Sequence, residues 1–98
     1  MFGKGVYFAD VASKSVGYTS YHSSNNFGLM LLCWVAVGKT NKLYNSDSSI
    51  TLQRLPKGTN CTWGVGKTCP DPKGDIQYDK CTLAAGKPID SNDKNAWL

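Results

Sequence analysis

The sequence predicts one small globular domain that mixes short strands with a little helix. Three observations carry that reading. A chain of 98 residues with 41% hydrophobic content has the composition of a globular protein and buries about two-thirds of its unfolded surface. A short β-like run, GVYFA, passes at Asp10 into a segment with helical spacing. Phe27 to Val37 is continuously apolar, as a strand covered on both faces would be.

Taken in order, GVYFA is expected to form a strand. Its Val6 and Phe8 would lie on one face, with Gly5, Tyr7 and Ala9 on the other. Asp10 is placed to cap a helix running to about Tyr18, with Val11, Ser15 and Tyr18 on one side at i, i+4 and i+7. SYHSSNN is a polar loop of turn residues. Phe27–Val37 follows as the candidate central strand, with helix as the rival for LMLL, and Gly38 ends it. Lys42 to Tyr44 suits another short strand. From Asn45 to Gly74 serine, threonine, glycine, proline and lysine dominate, and no clear element is expected. One more strand is expected near Tyr78. The closing Ala96-Trp97-Leu98 reads as the start of an element cut short. No repeat, low-complexity tract or internal domain boundary interrupts the chain.

Composition excludes several classes. No run approaches the ~20 apolar residues of a membrane span, and no secretory signal pattern opens the chain. The net charge of +4 comes from lysines scattered along the whole chain, with a single arginine. That distribution describes a solvated surface better than a nucleic-acid footprint, which clusters its cations and favours arginine. Cys33, Cys61, Cys69 and Cys81 contain no close ligand pair, and the lone histidine, His22, is far from them. Free thiols are expected, and no metal site. All seven acidic residues are aspartates, so the chain holds no glutamate.

Two glycine-rich stretches imitate phosphate loops. GVGKT at 64–68 has Cys61 where a Walker A loop needs its first glycine, and Pro70 and Pro72 deny it a following helix. GKG at the N-terminus precedes a strand, whereas a dinucleotide-binding glycine motif follows one. Asn60-Cys61-Thr62 is a formal glycosylation sequon that matters only in a secreted protein. His22 reads as a surface histidine.

What remains is the N-terminal stretch itself. Tyr7 has only Gly5 and Ala9 as same-face neighbours, so its ring is unshielded, and Ser15 and Tyr18 share a helical face. Two aromatic rings and a hydroxyl suit a flat, amide-bearing ligand held by stacking and a hydrogen bond. Ordinary packing of both tyrosines, with hydroxyls at the surface, explains the same pattern and is the commoner outcome of it.

GKGVYFADVASKSVGY closely resembles the nicotinamide-site segment of the poly(ADP-ribose) polymerase catalytic domain. The family's pattern is Gly-x-Gly-x-Tyr-Phe-Ala-Asp, then Ser-Lys-Ser, then a tyrosine three residues on. GLMLLCWVAVG, RLPKG and GVGKTCPDP follow in the family's order, so the likeness covers most of the chain through about Pro72 and thins beyond it. The resemblance implies residues 1–98 are part of such a domain. It also implies an α+β ADP-ribosyltransferase fold, with mixed and mostly antiparallel sheets, here incomplete. NAD+ would be the substrate, with no metal.

By motif, Tyr7 would be the tyrosine of the family's His-Tyr-Glu signature and stack on one nicotinamide face, with Tyr18 on the other. Ser15 would bond the carboxamide, with Lys14 beside it. Gly5 would allow close backbone approach, Phe8 and Ala9 would complete the donor segment, and Met1 would fall near the acceptor side. The irregular stretch from Asn45 to Pro72 would flank the acceptor site.

The activity implied is transfer of ADP-ribose from NAD+ to acceptor proteins with release of nicotinamide. DNA would be met only through other domains, a membrane not at all, and the nucleus is the favoured location over the cytoplasm. Three departures temper the resemblance. The family's glutamate is placed on a strand after the end of this chain, and its histidine in a His-Gly-Ser element before Met1. Trp34 stands where the family commonly carries a glutamate. The chain alone is therefore expected to be inactive; the other reading is a non-catalytic nicotinamide or ADP-ribose binding module, or a degenerate copy of the domain.

Overall fold

The computed structural model describes residues 1–23 and 25–96. Secondary structure is sparse and local. Helix α1 spans Ala12–Val16, and six short strands follow: β1 Thr40–Leu43, β2 Cys61–Gly64, β3 Thr68–Pro70, β4 Ile76–Tyr78, β5 Cys81–Leu83 and β6 Pro88–Asp90. They form three two-stranded sheets, β1 with β2, β3 with β6, and β4 with β5. Single 3₁₀ turns occupy Tyr21–Ser23, Leu52–Arg54 and Pro72–Gly74.

β1 and β2 are parallel, from Thr40 opposite Cys61 to Leu43 opposite Gly64. The ladder extends at both ends: Asn60 N donates to Lys39 O at 2.8 Å and Val65 N to Leu43 O at 2.8 Å. Gly38 turns the chain into β1 with φ +58, a left-handed conformation that side chains resist, and the Asn60 side chain fills the space where a Cβ would stand. The Asn60 carbonyl oxygen accepts from Lys39 N at 3.1 Å, and the Cys61 thiol donates to Val37 O at 3.1 Å. On the solvent side, the Lys42 ammonium sits 4.7 Å from the ring centre of Trp63, its register partner. Val65, just past β2, is buried, as is Ala96. Among the described residues, one side-chain polar atom is buried without a partner: Thr62 Oγ1.

β4 and β5 form an antiparallel hairpin with Ile76 opposite Leu83 and Tyr78 opposite Cys81. Asp79, at φ +53, makes the left-handed corner that aspartate tolerates. The Gln77 amide donates across the pair to Thr82 Oγ1 at 2.9 Å.

Several sequence expectations are corrected. GVYFA enters no ladder, and Val6, Tyr7 and Phe8 are all exposed. The helix is five residues long, its N-cap is Val11 in place of Asp10, and no side chain caps it. Tyr18 therefore lies in the turn after α1. Phe27–Val37 forms neither strand nor helix, and its side chains face solvent, with Leu29 92% and Leu31 91% exposed. An apolar run becomes a central strand only where neighbours supply ladder bonds on both edges and cover on both faces. Among the described residues this run has neither. Conversely, the stretch expected to be featureless contains β2, β3 and two 3₁₀ turns. The strand expected at Lys42–Tyr44 appears two residues earlier at its start, and the one near Tyr78 appears as β4. Trp97-Leu98, read as a cut element, lies outside the described residues.

Two compact units share the chain: Met1–Val6 with Val35–Cys69 and the segment from Ile89, and Tyr7–Trp34 with Pro70–Pro88. No helix among the described residues is long and apolar enough to cross a membrane.

Candidate functional site

Six of the residues singled out by sequence fall in the second unit: Tyr7, Phe8, Ala9, Lys14, Ser15 and Tyr18. The short helix α1 and the turn after it position the last three. Val11, extended at φ −104, offers its carbonyl to Lys14 N at 3.0 Å, which starts the helix. Tyr18 N donates to Ser15 O at 3.0 Å, so the hydroxyl residue and the aromatic residue stand one turn apart. Ser15 is half-buried, while Tyr18 is 78% exposed and Tyr7 51% exposed. Lys14 is exposed in the last turn of α1. Phe8 and Ala9 are exposed on the extended segment that leads from Tyr7 into α1. Two accessible phenol rings and a serine hydroxyl have the chemistry to stack on a flat ring and bond an amide beside it.

Met1 and Gly5 belong to the first unit. Met1 is half exposed. A Cβ at Gly5 would meet no atom within 4 Å, so nothing among the described residues demands glycine there. The glycine of GKG that the backbone does require is Gly3, at φ +77, where a Cβ would strike the Ile50 carbonyl.

The other candidates are placed plainly. GVGKT is the end of β2 running through a short loop into β3, with no helix to receive an anion. His22 is exposed and tilted against the Tyr21 ring, with centroids 3.8 Å apart. Asn60 of the formal sequon uses its side chain to hold the Gly38–Lys39 corner. Trp34, the departure from the family pattern, finds an aromatic neighbour in Tyr78, edge to face at 6.0 Å. The four cysteines are free thiols, Cys33 exposed. Among the described residues, no cluster of three or more histidine, cysteine or acidic side chains is arranged to hold a metal.

The motifs and their placement can be set against known proteins. A family model of the poly(ADP-ribose) polymerase catalytic domain matches residues 1–98. The chain belongs to that family. The match runs past Pro72, where the motif likeness thins, to the last residue. Poly(ADP-ribose) polymerase 2 of Arabidopsis thaliana is 45% identical over 99 residues, covering 100% of this chain and 15% of the plant protein. Poly(ADP-ribose) polymerase 1 of Xenopus laevis is 42% identical over 92 residues, covering 94% of this chain and 9% of the frog protein. The Gallus gallus polymerase 1 is 43% identical over 98 residues, covering 100% and 9%. The chain thus spans 9–15% of the length of these polymerases. Membership in this catalytic-domain family implies the ADP-ribosyltransferase fold; the described residues form small sheets and little helix.

Around the α1 turn lie three residues that the motif reading does not single out, Thr19, Tyr21 and Gly28. Thr19 and Tyr21 belong to no motif, and Gly28 opens GLMLLCWVAVG, whose apolar pattern gives no sign of its close approach to Thr19.

Proposed function

We propose that residues 1–98 are the central part of a catalytic domain that transfers ADP-ribose from NAD+ to acceptor proteins and releases nicotinamide. The observation that carries this reading is the ordered motif GKGVYFAD–SKS–Tyr18, with Ser15 and Tyr18 one turn apart and both tyrosine rings accessible. Tyr7 and Tyr18 stack on the two nicotinamide faces, and Ser15 bonds the carboxamide, with Lys14 alongside. Gly5, Phe8 and Ala9 line the approach of the donor, and Met1 lies toward the acceptor. Holding the nicotinamide flat orients the glycosidic bond for departure and fixes the leaving group.

Breaking that bond develops oxocarbenium-like charge on the ribose, which the family's glutamate stabilises. No residue in this chain can fill that role as a glutamate does, because it holds none. Removing a group that stabilises developing charge raises a barrier by about 3 kcal/mol or more. The 98 residues alone are therefore inactive. The enzyme that contains them is a polymerase of nuclear type, and it meets DNA through other domains. The large exposed apolar surface, Phe27–Val37 above all, supports the placement within a larger domain.

Incubation of the 98-residue chain with labelled NAD+ leaves it unlabelled; strong NAD+-dependent automodification overturns the reading. The absent glutamate also favours a second reading, a module that binds nicotinamide or ADP-ribose without turnover. Joining the missing signature residues to the chain separates the two. An enzyme segment then gains transferase activity, whereas a binding module does not.

A further inference from the structure

We propose that Thr19 and Gly28 are positioning residues for the nicotinamide-binding turn, acting together through the carbonyl of Val16; the assignment rests on the nicotinamide reading of Ser15 and Tyr18. Helix α1 has five residues and no side-chain cap, and so short a helix does not hold its own last turn. That turn is the part that aims Tyr18. It is fastened by the Tyr18 N bond to Ser15 O and by two bonds from Thr19 to Val16 O, the amide at 3.0 Å and the hydroxyl at 2.8 Å.

Gly28 lies against the hydroxyl and leaves no room there for a side chain of its own. The chain leaves Thr19 through left-handed residues Ser20, Asn25 and Asn26, and Asn26 N donates to Tyr21 O at 3.1 Å. This return loop brings Gly28 onto the turn. A Cβ at Gly28 would stand 2.8 Å from Thr19 Oγ1, 3.1 Å from Thr19 Cβ and 3.3 Å from Tyr21 Cβ. Relief requires rotation of a stiff β-branched side chain, which takes the hydroxyl off Val16 O. An open hollow of about 210 Å³ lined by Val16, Thr19, Tyr21, Asn26, Gly28 and Met30 lies beside the turn.

The test is titration of the chain with benzamide, together with amide exchange at Tyr18 and Asn60. Thr19→Ala and Gly28→Ala each weaken benzamide binding about five- to tenfold, the worth of one lost hydrogen bond. Thr19→Ser, which keeps the hydroxyl, restores binding. The double variant is no weaker than either single one, because both changes break the same bond. In each weakened variant the Tyr18 amide exchanges faster while the Asn60 amide is unchanged. Wild-type affinity in Thr19→Ala, additive losses in the double variant, or failure of Thr19→Ser to rescue overturns the assignment. So does loss of protection at Asn60 as well, which makes these residues general fold supports. If wild-type chain does not bind benzamide, or binds it equally with Ser15→Ala and Tyr18→Ala, the nicotinamide reading fails and this assignment falls with it. Sensitivity to those two changes without sensitivity to Thr19 or Gly28 overturns this assignment alone.

Discussion

The β1–β2 pair and the Phe27–Val37 run invert what their compositions promise. Phe27–Val37 is the most apolar segment of the chain and lies open to solvent, with Leu29 and Leu31 each more than nine-tenths exposed. β1 and β2 read Thr-Asn-Lys-Leu and Cys-Thr-Trp-Gly, yet they form an in-register parallel ladder that continues into the buried Val65. What separates them is partners. The β1–β2 pair has its backbone groups answered by a neighbouring strand and its corner held by Asn60. The apolar run has no ladder among the described residues, and apolar side chains without cover contribute nothing to stability.

Substitutions can break that contrast, beginning with the largest effect. Gly38→Ala places a Cβ at φ +58 against the Asn60 side chain, and it destabilises the β1–β2 pair by about 2 kcal/mol in urea unfolding. Asn60→Ala frees the Gly38 site but removes the acceptor for Lys39 N; it costs about 1 kcal/mol. In the Asn60→Ala background, Gly38→Ala costs less than it does alone, which a double-mutant cycle reads directly.

Thr62→Val sharpens the contrast in the opposite direction. The Thr62 hydroxyl is buried without a partner, so a valine of the same shape stabilises the chain by up to about 1 kcal/mol. On the other side, Leu31→Ser shifts stability by less than about 0.5 kcal/mol, because an exposed leucine gives up no burial. A loss of about 2 kcal/mol or more would show that the run is packed in solution.

The smallest expected effect is on acid stability. Hydrogen bonds from the Ser49 hydroxyl and amide lower the Asp47 pKa below its ordinary value, with the Arg54 charge adding to them. A carboxylate with a depressed folded pKa stabilises the fold above its unfolded pKa and loses that contribution as pH falls through the folded one. Acid unfolding of Asp47→Asn, followed below the ordinary carboxylate range, is therefore slightly less steep than that of the wild type.

The same distinction explains what the sequence made legible. Local turn chemistry and motif order were readable: a strand forms near Tyr78, and GKGVYFADVASKSVGY marks the family, whereas Gly38 ends no strand and instead makes the left-handed corner before β1. Those signals depend on residues close in sequence. The strand expected at GVYFA and the central strand at Phe27–Val37 needed distant partners, which periodicity does not report; the Asp10 cap failed locally, because α1 begins one residue later with Val11 at its N-cap. β2 was hidden for the mirror reason, since its identity comes from pairing with β1 and not from its own residues. The Thr19–Gly28 contact brings together residues nine positions apart through left-handed turns, and no pattern in the sequence announces it. Gly5 and Gly3 show the limit at single-residue scale. The motif draws attention to Gly5, while the backbone constraint among the described residues falls on Gly3.

Tyr7 and the α1 turn with Ser15 and Tyr18 are proposed as nicotinamide-binding groups, in contrast to tyrosines that merely lie at the surface. Calorimetric titration of the chain with nicotinamide and benzamide tests this most directly, comparing wild type with Tyr18→Ala and Ser15→Ala. Wild type binds saturably, and either substitution abolishes binding with the unfolding transition unchanged. Equal binding by wild type and both variants would contradict the proposal.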